Sequence, residues 1–159
     1  MAYTKIIAHR GSRGNRPENT LEAFQEALKV SSDGIELDVH LSKDGQVVVI
    51  HDETVDRTTS GKGYVKDMTL KQLKELDAGS WFDPKYSNAR IPTLQEVLDL
   101  LAENHFSGVL NVELKTDVFQ YSAIEEKVLA LAEPYLAQLS LYTSPSPRDQ
   151  RGSRMPSSA

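Results

Sequence analysis

The chain has 159 residues, 23 acidic against 18 basic, a formal net charge of −5, four histidines and no cysteine. That length holds one domain of ordinary size. An acidic balance without a long basic stripe excludes an electrostatic nucleic-acid binder. The missing thiols exclude disulfides and thiolate metal sites, so oxygen or imidazole must hold any metal.

Met1-Ala2-Tyr3-Thr4-Lys5 leads straight into a short apolar run. Neither a signal peptide nor a membrane-length segment follows, so a cytoplasmic protein without stable membrane insertion is expected. Lys5 to Ala8 reads as a buried strand closing at His9-Arg10-Gly11. Pro17-Glu18-Asn19-Thr20 then opens a helix, with Asn19 as N-cap, Glu22 as its capping-box partner, and Leu21, Phe24 and Leu28 as its apolar stripe. Gly34 to Leu41 alternates strictly, with Ile35, Leu37 and Val39 on one face and Glu36, Asp38 and His40 on the other, which is a strand period. A turn at Asp44-Gly45 leads into the β-branched run Val47 to Ile50, which closes at His51-Asp52.

Residues 52–90 are polar and turn-rich, with one short helix behind a Thr69 cap, and read as an insertion after the third strand. Ile91-Pro92-Thr93 restarts the regular pattern: Thr93 caps, Glu96 completes the capping box, and Leu94, Val97, Leu98 and Leu101 face a core. Gly108 to Lys115 is a further strand, and Tyr121 to Leu131 a final amphipathic helix. Strands separated by helices imply a parallel sheet of βαβ units, either an open doubly wound sheet or part of a (β/α)8 barrel. Both architectures bind ligands at the carboxyl ends of the strands, where the polar residues here lie. From about residue 139 the apolar period vanishes into Ser, Pro and Arg, so 139–159 is expected to be a disordered or non-native tail. That segment resembles the conceptual translation of a sequencing adapter, which would end the natural sequence near Gln138.

Glu36 and Asp38, at i and i+2 of one strand, point to the same side roughly 7 Å apart. On a buried face two unpaired like charges are costly, and a divalent cation offsets that cost, although an exposed strand face would also explain the pair. Glu113 adds a third carboxylate on a separate strand, and Lys115 follows it. His9 and His51 stand at equivalent strand ends and suit acid–base work, while Arg10 offers a planar fork for a phosphate. His40, further along the same face, reads as a supporting or solvated residue. His105 reads as a helix-end residue, and Trp81-Phe82 as local packing in the insertion.

Taken in series, Ile7-Ala8-His9-Arg10-Gly11, Pro17-Glu18-Asn19-Thr20, Gly34-Ile35-Glu36-Leu37-Asp38-Val39, His51-Asp52, the Asp56-Arg57-Thr58-Thr59 run and Val112-Glu113-Leu114-Lys115 resemble the bacterial glycerophosphodiester phosphodiesterases. The resemblance spans residues 3 to about 138. It implies a TIM (β/α)8 barrel, cut to roughly its first four β/α units, with a small inserted region. It further implies one divalent cation, Mg2+ or Ca2+, held by Glu36, Asp38 and Glu113. His9 and His51 would be general base and acid, Arg10 and Lys115 phosphate ligands, and Glu18 a support for the metal or the substrate glycerol. The substrate would be a small glycerophosphodiester. A related barrel phosphodiesterase acting on inositol lipids or sphingolipids, and a non-catalytic metal- or phosphate-binding protein, are the competing readings. Because a barrel needs about 250 residues, the chain as it stands is expected to be unstable or oligomeric, with little activity.

Overall fold

A computed structural model describes residues 3–145. Its sheet is built on β2 (Gly34–Leu41), whose residues are all buried. β1 (Ile7–His9) lies parallel on one side of β2, with His9 opposite Glu36. β4 (Val109–Leu114) lies parallel on the other side, with Asp38 opposite Glu113. Beyond β4 comes β5 (Ser140–Pro145), also parallel. β3 (Val47–Val49) is different: it folds back antiparallel on the carboxyl end of β2, as the Asp44-Gly45 turn permits, so the parallel run is β1-β2-β4-β5.

The helices α1 (Leu21–Lys29), α3 (Leu94–Glu103) and α4 (Ile124–Ala132) share one core with the sheet. Phe24, Leu94, Leu98, Leu101 and Val128 meet Ile35, Leu37, Val39, Leu110, Val112 and Leu114 there. These strand residues have alternate spacing and so point to one face; the other face carries Glu36, Asp38, His40 and Glu113. A doubly wound sheet covers both faces with helices, whereas a barrel puts helices outside only, and this arrangement is the barrel type.

The excursion between β3 and α3 carries the short helix α2 (Leu70–Glu75) and a core of its own, in which Val48, Ile50, Val55, Val65, Leu73, Ala78 and Ile91 pack. The unbroken β-branched run follows from this, because Val47 and Val49 face the main core while Val48 faces the second. Thr93 caps α3 in a reciprocal box with Glu96. Thr93→Ala removes the acceptor for the Glu96 N–H and should cost about 1 kcal/mol, read from urea midpoints at unchanged slope.

Two expectations need correction. The N-cap of α1 is Thr20, whose side chain accepts from the Ala23 N–H, so the third helical position is Ala23 and Glu22 has no box to complete. Asn19 instead adopts a left-handed conformation, φ 54°, and its side chain is used elsewhere. Residues 139–145, expected as the start of the tail, are instead packed and paired. Leu139 is buried, Leu141 packs on the main core, and Ser140–Pro145 pairs with the edge of β4. Main-chain pairing on an open edge makes little demand on side chains, which is why a Ser- and Pro-rich stretch can take the place. The rest of the expected tail, 146–159, lies outside the described residues.

Candidate metal centre and flanking histidines

β2 and β4 bring three carboxylates together at the carboxyl end of the sheet. One oxygen each of Glu36, Asp38 and Glu113 can be chosen so that all lie within 4.8 Å of one another. Strand rise alone would leave the two β2 carboxylates further apart; their side chains lean inward to meet Glu113. Asp38 is 1% exposed and Glu36 7%. Asn19 Nδ2 donates to Asp38 Oδ2 (3.0 Å), Lys115 Nζ lies 3.3 Å from Asp38 Oδ1, and Arg10 Nε lies 3.5 Å from Asp38 Oδ2. Lys115 Nζ also donates to Glu113 Oε1 (2.6 Å). Glu36 is less well served, since its Oε2 accepts only the Arg10 main-chain N–H (2.9 Å) among the hydrogen bonds of the described residues.

Two buried oxygens of the cage lack a hydrogen bond; the Lys115 ammonium stands 3.3 Å from Asp38 Oδ1, which leaves Glu36 Oε1 as the orphan. Orphaned acceptors of this kind are costly unless something positive meets them. Burial pushes the Glu36 carboxyl up, the charges of Asp38 and Glu113 push it further, and against the Arg10 hydrogen bond it reaches about 7. Three hard oxygen donors, one of them with an orphaned atom, fit a hard divalent cation of the Mg2+ or Ca2+ type.

The loop after β1 sets the flank. Gly11 (φ 74°) passes so close to α1 that a Cβ there would lie 2.8 Å from Ala23. Its neighbour Arg10 is left-handed at φ 58°, which is strained for a side chain of that size, and the guanidinium is turned toward the carboxylates. Arg10 Nη1 donates to Glu18 Oε1 (3.1 Å). Glu18 therefore faces arginines rather than joining the cation cage.

His9 ends β1 half-exposed, its Nε2 3.6 Å from Glu36 Oε2. Burial lowers its pKa first, and the charges of Arg10 and Arg13 lower it further; Asp38 opposes them, and the nearby His51 adds to the lowering. His51 follows Ile50, whose N–H donates to the Asp38 carbonyl (3.0 Å) and so carries the β2 ladder to within one residue of the histidine. His51 Nδ1 lies 2.7 Å from Asp52 Oδ1. Burial pushes the Asp52 carboxyl up, but hydrogen bonds from Arg57 and His51 outweigh it and hold it at about 2. An ionised carboxylate only accepts, so His51 Nδ1 carries the proton and Nε2 is the open nitrogen.

No site role was assigned from sequence to Asn19, Asp52, Arg57 or Tyr121, and His40 was left open between a supporting and a solvated residue. Asn19 was expected as a helix cap but ties α1 to Asp38. Arg57, from the excursion, donates Nε to Asp52 Oδ2 (2.8 Å) and Nη2 to Glu18 Oε1 (2.7 Å). His40 is fully buried rather than solvated. Its Nε2 lies 3.0 Å from the His51 carbonyl and its Nδ1 2.9 Å from the Tyr121 hydroxyl. A carbonyl only accepts, so Nε2 carries the His40 proton and Tyr121 donates to Nδ1. Burial holds the His40 pKa down, against the His51 hydrogen bond, and lifts the Tyr121 phenol to about 12. Only Asp52 had an audible signal, namely its adjacency to His51. A concavity of about 660 Å3 lies at the other end of the strands, near Lys29, Asp33 and His105, away from the carboxylates.

A parallel sheet with helices outside and three carboxylates grouped at its carboxyl ends defines the class: a TIM-barrel protein with a candidate metal centre. The chain belongs to the Glycerophosphoryl diester phosphodiesterase family, whose model matches residues 9–148. It is 52% identical over 132 residues to a glycerophosphodiester phosphodiesterase of Caldanaerobacter subterraneus, covering 83% of this chain and 54% of that protein. One from Bacillus altitudinis is 52% identical over 125 residues, covering 79% and 51%. The crystal structure of an Agrobacterium tumefaciens glycerophosphodiester phosphodiesterase superposes with a TM-score of 0.79 at 38% identity, over 94% of this chain and 61% of that one. An Oleispira antarctica phosphodiesterase, solved with its product sn-glycerol-3-phosphate, gives 0.75 at 38% identity, over 89% and 57%. The chain thus spans about half the length of the curated relatives it matches. Among the described residues, no helix is long and apolar enough to cross a membrane.

Proposed function

We propose that this chain is the amino-terminal part of a cation-dependent enzyme that cleaves small glycerophosphodiesters to sn-glycerol 3-phosphate and an alcohol. The observation that carries the reading is the meeting of Glu36, Asp38 and Glu113, with Glu36 Oε1 buried and orphaned, beside two histidines at strand ends. Family membership and the product named for the Oleispira antarctica neighbour support it. The cation held by the three carboxylates is Mg2+ or Ca2+, and when bound it would offset charge on the phosphoryl oxygens.

The protein's own groups divide the remaining work. Arg10 and Lys115 stand at the cage with positive charge and bind the phosphate. His9, flanked by Arg10 and Arg13, is held neutral and takes the proton from the nucleophile. His51 keeps Nδ1–H on the Asp52 carboxylate, and in its doubly protonated form its Nε2–H gives the proton to the leaving alkoxide. Glu18 orients the arginines.

The 159-residue chain alone should turn over little. Its outer strand β1 and helix α4 leave Ile6 69%, Ile7 39% and Leu129 52% exposed, surfaces that further barrel units would cover. The test is hydrolysis of glycerophosphocholine and glycerophosphoethanolamine by a protein completed with the remaining barrel units, alongside the present chain. Activity should need the cation, and His9→Ala or His51→Ala should each lower kcat about a hundredfold or more while retaining the thermal shift on cation binding. Undiminished turnover in either variant refutes its role. Robust cation-dependent turnover by the purified 159-residue monomer refutes the proposed need for the missing units.

A further inference from the structure

Arg57 takes no part in the chemistry proposed above, yet its side chain donates four hydrogen bonds to carboxylates, where the side chains of Arg10 and Lys115 each donate one among the described residues. It comes from the excursion after β3, as Asp52 does, and ties the start of that excursion to the Glu18 loop between β1 and α1. Nε donates to Asp52 Oδ2 at 2.8 Å and Nη2 to Asp52 Oδ1 at 3.0 Å, a two-point grip on one carboxylate. Nη2 and Nη1 also donate to Glu18, at 2.7 and 3.2 Å. Behind these stand His51 Nδ1 on Asp52 Oδ1 and Arg10 Nη1 on Glu18 Oε1. One unbroken line of hydrogen bonds therefore runs His51–Asp52–Arg57–Glu18–Arg10.

We propose that Arg57 is a positioning residue: it clamps Asp52 onto His51 Nδ1, so that His51 keeps its proton on Nδ1 and presents Nε2 to the reacting group. Asp52 is adjacent to His51 in sequence, and a side chain one residue away has several rotamers. Nothing local obliges its carboxylate to turn back onto the imidazole. The two-point grip selects the rotamer that does, because a planar guanidinium matches both carboxylate oxygens only in one relative plane. Glu18 holds the clamp from the far side and shares the same oxygen, Oε1, with Arg10. The clamp thus aligns His51 with the loop that presents Arg10, which explains how an excursion outside the barrel can serve the site.

The inference rests on the phosphodiesterase reading only for the use made of Nε2; the clamp itself is testable without turnover. In the 15N-labelled 159-residue chain at pH 8, long-range proton–nitrogen correlation reports which nitrogen of each histidine is protonated. His51 should show protonated Nδ1. In Arg57→Met that signature should be lost in favour of a mixture with the Nε2–H form, and Arg57→Lys, which keeps the charge but not the fork, should restore it in part. His40, held as Nε2–H by the His51 carbonyl, is the internal marker of an intact fold. Should Arg57→Met lose the His40 marker, the comparison passes to Arg57→Lys, where full retention of His51 Nδ1–H overturns the proposal and partial loss supports it. A wild-type His51 protonated on Nε2, or an Arg57→Met chain with both signatures unchanged, also overturns it. In the barrel-completed protein the Arg57→Met loss should fall on kcat rather than KM. Failure of the phosphodiesterase reading would appear instead as no hydrolysis with the His51 tautomer still fixed.

Discussion

Without divalent cation at pH 8, Glu36→Gln should unfold at higher urea than the wild type, by on the order of 3 kcal/mol, while losing the cation response entirely. The reason is the placement of one buried carboxyl. Glu36 is 7% exposed and its carboxyl titrates near 7 rather than 4.5, because burial and then the charges of Asp38 and Glu113 oppose its ionisation. A carboxyl raised in this way binds its proton more tightly in the folded chain than in the unfolded one. Its contribution is intact below the unfolded value of 4.5 and is lost as pH rises through about 7. Glutamine keeps an oxygen for the Arg10 N–H and has no charge to bury, so the gap between the two chains should narrow as pH is lowered toward 5.

Cation reverses the order. Binding to the ionised cage should stabilise the wild type by about 2.7 kcal/mol at a concentration one hundred times the Kd, and leave Glu36→Gln unmoved. The measurement is a pair of urea titrations at pH 8, with and without Mg2+ or Ca2+. A glutamine variant less stable than wild type in the cation-free titration would show that Glu36 is not the strained member of the cage.

What could be read from the sequence was whatever the chain specifies within a few residues. Thr93 and Glu96 announced α3 because a capping box is a local bargain between side chain and main chain. The alternation from Ile35 to His40 announced β2 and sorted its faces, since period 2 is a property of the strand itself. Glu36 and Asp38 stood out as same-face carboxylates of one strand, and the family resemblance grouped them with Glu113. Contacts made across the fold were silent. Asn19 is as good a cap as Thr20 on paper, and only the turn of the preceding loop, with Asn19 left-handed, sends its amide to Asp38. Arg57 lies 39 residues from Glu18, and nothing in either neighbourhood points to the other. β5 was missed for a different reason: it is held by main-chain pairing to β4 and by Leu139 and Leu141, too few side chains to make a period.

The opposite outcome is expected two residues from Glu36. Asp38→Ala should destabilise the chain by about 3–5 kcal/mol, enough to leave much of it unfolded at room temperature. Both residues are buried carboxylates on the same face of β2, but their neighbours differ. Glu36 is met by other carboxylates and one main-chain N–H. Asp38 is met by Asn19 at 3.0 Å, Lys115 at 3.3 Å and Arg10 at 3.5 Å. Removing it leaves Lys115, 8% exposed, with Glu113 alone, and deprives Arg10 of the ion pair at its buried Nε, an atom with no hydrogen-bond partner. Asn19 loses the bond that holds its left-handed backbone over α1. Lys115 keeps only Glu113 and Arg10 only Glu18, so two buried cations each lose a carboxylate partner at once, which costs more than the burial of the one anion that Glu36→Gln relieves. Asp38→Asn keeps an acceptor and should fall between, unfolding at lower urea than wild type but above the alanine variant. Far-UV circular dichroism through a urea titration orders the three chains; an alanine variant within about 1 kcal/mol of wild type would mean that Arg10 and Lys115 find water instead, and that Asp38 serves the cation alone.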